Sequence, residues 1–155
     1  MPTPTYTPLA TVTLASATST VSFSSIPSSY RDIILVINGN ASVNQFTGLR
    51  FNSDSGNNYS FVRLFSTSSS SDTRSYGLLT TGDSSLTLNA VAHIMDYSAT
   101  DKHKTAVIRS NIPADNVAAQ TFRWANTAAI TSISVEAIST TWAVGTTINL
   151  YGVIA

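Results

Sequence analysis

The side chains able to carry catalysis are few, and their spacing does not suit it. A nucleophilic triad sets a Ser or Cys beside a positioned His and an acid. The chain has no Cys, and its many serines include no G-x-S-x-G elbow. His93 and His103 are the only imidazoles that could act as a base. His93 falls on the face of its strand pattern opposite Leu88, Ala90 and Ala92, the position of a half-covered surface or interface histidine. Glycoside hydrolysis asks for two carboxylates across one cleft. Here Glu136 is the only Glu, on the polar side of its segment, and Asp96 and Asp101 bracket a turn where Asp serves local hydrogen bonding. A metal would find two ligands in His93 and Asp96, and the loop Asp54 to Asn58 lacks the alternating acidic residues of a calcium loop. No residue is assigned a catalytic, cofactor-binding or metal-binding role, and the expectation is a non-enzymatic protein without a cofactor. Asn40-Ala-Ser42 and Asn58-Tyr-Ser60 match the N-glycosylation pattern and read as coincidences in a Ser-rich chain.

Recognition is the chemistry left to search for. Aromatic rings stack on the apolar faces of sugars while neighbouring Asn or Asp orients the hydroxyls. Tyr59, beside an Asn-rich loop, and Trp142, in a Thr-rich connection, are the glycan-binding candidates. Phe23, Phe51, Phe61, Phe122 and Trp124 sit in strand patterns and are expected in the core. The first nine residues read as an extended arm, because Pro2, Pro4 and Pro8 fix φ and remove amide donors. Pro4, Tyr6 and Leu9 are its candidate contacts with a neighbouring subunit.

Composition narrows the partners. The 155 residues hold eight Lys plus Arg against eight Asp plus Glu, and only 10% are charged. A typical domain carries about 25% charged residues, whereas roughly three residues in ten here are Ser or Thr. A surface so neutral and hydroxylated suits association and lacks the clustered Lys and Arg that bind phosphates, so nucleic acid is not an expected partner. The nearest cluster, Lys102 to Lys104, reads as a solvated turn. Ile33 to Ile37 is the longest strongly apolar run, far short of the ~20 residues of a membrane helix, so no membrane partner is expected. The opening MPTPTYTPLA has neither the basic nor the apolar region of a signal peptide.

Those residues must be positioned by strands. Apolar side chains recur with period two, and no long stretch holds a helical period. Ala10 to Leu14 and Val21 to Ser24 read as a first strand pair, and Ile33 to Ile37 as a strand buried on both faces. Leu49 to Asn52 and Tyr59 to Ser66 read as a hairpin, and Ser66 to Ser75 as a mobile surface loop. Tyr76 to Thr80, Leu86 to Ile94 and Lys104 to Arg109 follow as strands, the last two pairing. Asn111 to Ala119 reads as a loop, before strands at Thr121 to Trp124, Ala129 to Ile138 and Thr147 to Ile154. The expected architecture is all-β, a single antiparallel jelly-roll-like sandwich over residues 10–155 behind the arm 1–9.

Four segments together resemble small β-sandwich virion proteins of tailed bacteriophages: YTPLATVTLASATSTVSFSSIPSSYRDIILVI, LRFNSDSGNNYSFVRL, AHIMDY and NTAAITSISVEAISTTWAVGTTINLYGVI. The shared pattern is a first pair of strands, then "SIP" and "Y-x-D", then "LRFN-x-D-x-G-x-NY", and a closing "LYG" strand. The resemblance implies a jelly roll on the virion surface, made in the host cytoplasm. It implies a homo-oligomer, for instance a trimer, seated on other virion proteins such as the major capsid protein as a capsid decoration. Its alternative is a tail-fibre module that recognises a host glycan. The chain lacks a coiled-coil or repetitive shaft, which favours a compact unit.

Overall fold

A computed structural model describes residues 4–43, 45–65, 68–81, 87–112 and 116–154, and every regular element among them is a strand. In chain order these are β1 (Tyr6–Thr13), β2 (Thr20–Phe23), β3 (Asp32–Gly39), β4 (Phe46–Phe51), β5 (Tyr59–Phe65) and β6 (Ser68–Arg74). They continue with β7 (Gly77–Thr81), β8 (Leu88–Met95), β9 (Lys104–Ile112), β10 (Asn116–Trp124), β11 (Ile133–Ala137) and β12 (Thr147–Val153). Eight form one sheet in the order β1-β12-β3-β8-β9-β10-β5-β6, and four form a second in the order β2-β11-β4-β7. Every pairing is antiparallel. The expected antiparallel sandwich is present, with jelly-roll connectivity remaining an expectation.

The small sheet covers part of one face of the large one, with β7 crossing β5, β8, β9 and β10. Apolar alternation explains which face is covered. Ile33, Leu35 and Ile37 of β3, Ala92 and Ile94 of β8, and Ala106 and Ile108 of β9 are all buried on that side. Phe51 of the small sheet meets Phe122 and Trp124 of the large sheet with ring centroids 5.6 Å away, and Tyr59 at 6.2 Å. Gly77 lets β7 come close, since a Cβ there would lie 2.4 Å from the Phe122 ring. The aromatic residues expected in the core are all there.

Several local expectations are corrected. β1 and β2 are not a pair: β1 joins β12 at the edge of the large sheet, and β2 joins β11 in the small one. Nor do β4 and β5 form a hairpin, because β4 lies in the small sheet and β5 in the large one. Residues 52–58 are therefore a crossover between layers. β3 is central, yet only one face is fully buried, with Ile34 and Val36 half-covered. The Ser-rich tract contains β6, exposed over six of its seven residues and hydrogen-bonded to β5, because an edge strand needs backbone partners rather than apolar side chains. β9 and β10 run through most of the segment read as a loop, and Pro113 lies outside the described residues. The strand expected at Ala129 to Ile138 is shorter, beginning at Ile133.

The arm boundary also moves. β1 starts at Tyr6, pairing with Val153, so Tyr6 to Leu9 belong to the sheet. Pro8 is tolerated because β1 is an edge strand, and the register slips between Pro8 and Ala10 as a bulge.

Candidate functional site

The second face of the eight-stranded sheet is not covered by the four-stranded one. Cross-strand register builds it in rows. One runs Ile34, His93, Val107, Thr121, Val62, and the next runs Val36, Val91, Arg109, Ala119, Leu64. Residues on the covered face are enclosed, whereas here Leu64 is 58% exposed, Val62 50%, Val91 43% and Val107 42%. Val117 of β10, on the same face, is 74% exposed. The described residues include nine exposed large hydrophobic side chains, and these five share one face, which makes a patch rather than scatter.

The face divides in two. Over β5, β9 and β10 it is mainly aliphatic, bordered by Arg109 and Arg123. Towards β1, β12 and β3 it dips into a shallow cleft of about 590 Å³. Ile34, Val36 and Val91 line the cleft along with Tyr6, Tyr151, Arg31, His93 and Arg109. At its border Asp32 is 4% exposed. Its carboxylate accepts from Arg31 Nε at 3.0 Å, from the Asp96 amide at 3.0 Å and pairs with His93 Nε2 at 3.0 Å. Burial alone would raise the Asp32 pKa, but the Asp96 amide, His93 and Arg31 together hold it below the ordinary carboxylate range. Arg109 has no hydrogen bond or ion pair among the described residues and is exposed.

The residues singled out by chemistry fall in separate places. Glu136 pairs with Arg50 at 3.1 Å in the small sheet. Asp96 takes a positive φ of 46° in the turn after β8, and its side chain pairs with Lys102 at 3.2 Å. Asp54 accepts from the Trp124 indole at 2.7 Å, from Asn58 Nδ2 at 2.9 Å and from the Gly56 amide at 2.9 Å, so its oxygens organise the crossover. Burial pushes the Asp54 carboxyl up, while Trp124, Asn58 and Gly56 pull it below its usual value. No group of three or more His, Asp or Glu able to hold a metal occurs among the described residues.

Tyr59 and Trp142 are corrected as glycan candidates, since both are fully buried and offer no ring face to a ligand. The Tyr59 hydroxyl accepts from the Phe51 amide at 2.9 Å, and burial pushes its pKa far up. The Trp142 backbone bridges to Thr18 and Ala41 and its indole donates to the Val135 carbonyl at 3.4 Å, a tertiary role that a Thr-rich local sequence does not reveal. Leu9 packs against the core, so only Pro4 and Tyr6 of the arm candidates are exposed. Lys104, read as part of a solvated turn, is buried with its ammonium donating to the Lys102 and Thr127 carbonyls, and burial lowers its pKa.

The segments behind the resemblance meet at structural joints. The Tyr97 hydroxyl donates to the Pro27 carbonyl, Tyr30 covers Gly152, and Asp32 joins His93 to the Asp96 amide. Asn52, at φ 51°, donates to the Ala129 carbonyl at 2.8 Å and accepts from the Thr131 amide at 2.8 Å. Comparison with family models, with curated proteins and with solved structures gives no match.

Proposed function

We propose that the chain is a non-enzymatic structural protein that works by association, a homo-oligomeric unit of a tailed-phage virion placed as a capsid decoration. The observation that carries the association is the aliphatic half of the open sheet face, where Val62, Leu64, Val107 and Val117 keep large exposed surfaces. Its occupant is a second copy of the chain. With formal net charge zero and few charged residues, two copies meet without long-range repulsion. The side chains of Val62, Leu64, Val107 and Val117 need no polar partner to be desolvated. The virion placement rests on the sequence resemblance, and the neutral, hydroxyl-rich surface is consistent with it.

Sedimentation velocity on the whole chain and on a Leu64→Glu/Val107→Glu variant tests the association. The expected result is a concentration-dependent oligomer that becomes a monomer in the variant, with an unchanged β-type circular dichroism spectrum. A wild-type chain that stays monomeric at high concentration removes the second copy as occupant and leaves another virion protein. Antibody labelling of intact particles separates capsid from tail. Label on the tail favours the second reading, a receptor-binding module, which the cleft beside the aliphatic half supports.

A further inference from the structure

We propose that the cleft over β1, β12, β3 and β8 binds a singly charged, ring-bearing carboxylate, of which an acidic sugar residue is the fitting class. This goes beyond the association reading, because it uses the other half of the open face, with Arg109 at the boundary between the two. A cleft of about 590 Å³ lies within the roughly 300–1,000 Å³ range of small-ligand sites.

The charged groups decide the sign and the number of charges. Arg31 and Asp32 form an ion pair at 2.9 Å, so they largely neutralise each other. His93 is tied through Nε2 to the same carboxylate. That leaves Arg109 as the cation in this cleft with no ion pair or side-chain hydrogen bond among the described residues. Its planar fork matches a carboxylate through two parallel hydrogen bonds. One unpaired guanidinium does not suit a polyanion, which needs several.

The remaining walls decide the body of the ligand. Ile34 provides an apolar floor in the row between Tyr151 and His93. Tyr6 is 57% exposed, and Tyr151 is half-buried. Their rings offer apolar faces, with hydroxyls at the tips, to a ring that has C–H bonds on one face and hydroxyls at its rim. His93 is held in place by Asp32, which leaves Nδ1 as its second polar atom. A small inorganic anion would use Arg109 and leave the tyrosines without a role.

The test is calorimetric or NMR titration of the whole chain with glucuronate, with glucose as a neutral ring and acetate as a ringless anion. Glucuronate should bind at least about tenfold more tightly than either control, and Arg109→Gln should weaken it by about tenfold or more, the usual worth of a charged hydrogen bond. Tyr6→Ala should weaken it several-fold. Arg109 is exposed and unpaired, so its variants should keep the wild-type melting temperature. Arg109→Lys, which retains the charge and loses the fork, should fall between. Glucose or acetate binding as well as glucuronate would overturn the proposal. So would unchanged affinity in Arg109→Gln, or no glucuronate binding at tens of millimolar, the result expected if a second copy covered the cleft as well.

Discussion

Ile108 and Val107 are neighbours on β9 and point to opposite sides of the eight-stranded sheet. Ile108 lies beneath the small sheet and is fully buried, whereas Val107 keeps 42% of its surface in solvent. The same holds for Ala92 and Val91 on β8, one enclosed and the other 43% exposed. Both sides use β-branched and aliphatic residues, so composition does not distinguish them. Cover does: the small sheet has four strands against eight and spans one side. A face built like a core and left open is the physical basis for reading this chain as one that associates.

The largest expected effect comes from emptying the covered side. Ile108→Ala should cost about 3 kcal/mol, the ordinary loss for a buried large-to-small change, and lower the melting temperature by roughly 6–12 °C for a domain of this size. A loss below about 1 kcal/mol would mean that the two layers are loosely packed at β9. The next effect comes from forcing the layers apart. Gly77→Ala would place a methyl 2.4 Å from the Phe122 ring, a contact that must be relieved by moving β7. The expected cost is about 1–3 kcal/mol, read by thermal unfolding. A neutral outcome would show that Phe122 swings away freely.

A smaller effect belongs to the edge of the open side, where Asp32 joins β3, β8 and the turn after it. Its folded pKa lies below the ordinary 3.8, so its contribution is present above that value and is lost as the pH falls through the lowered folded value. Asp32→Asn should cost about 1–2 kcal/mol at neutral pH through weaker hydrogen bonds. It should also flatten the acid limb of the stability profile below about pH 4. Asp54 has the same sign, so the double variant Asp32→Asn/Asp54→Asn should flatten it further. An acid limb unchanged in the double variant would move the acid sensitivity to other carboxylates.

Most strands were legible, and most of their partners were not, with the pairing of β8 and β9 the one that chain order indicated correctly. Period-two alternation marks a strand wherever one side is covered, which is why β8 and β12 stand out in the sequence. It does not say which sheet a strand joins. The crossover at 52–58 looks like a hairpin because two strand patterns flank a polar loop, and Asn52 and Asp54 hold it through contacts about 70 to 80 residues away along the chain. β6 was hidden because its seven residues, six of them exposed, carry no apolar signal. The open face was hidden for a related reason. Val62, Val91, Val107 and Val117 each look ordinary alone, and only cross-strand register gathers them. His93 and Arg109 of the cleft come from consecutive paired strands, but Tyr6 and Tyr151 come from the two ends of the chain, so no local spacing gathers all four.

The smallest effect is the sharpest test of the contrast between the two sides. Val107→Thr keeps the shape and β-branching of the side chain and adds a hydroxyl. In a packed core that hydroxyl would need a partner, and the exchange would cost about 1–3 kcal/mol. On a surface 42% exposed, water supplies the partner, and the change should stay within about 0.5 kcal/mol. Unfolding should therefore be measured on dilute protein, where the chain is monomeric, and again at high concentration. Dilute Val107→Thr should melt with the wild type. At high concentration the wild type should gain stability by mass action, because association favours the folded form, and the variant should gain less. If the dilute variant instead loses as much as Ile108→Ala, Val107 is covered within one chain and the open face does not exist. If neither protein gains with concentration, the face is open but no second copy occupies it, and its partner is a different molecule.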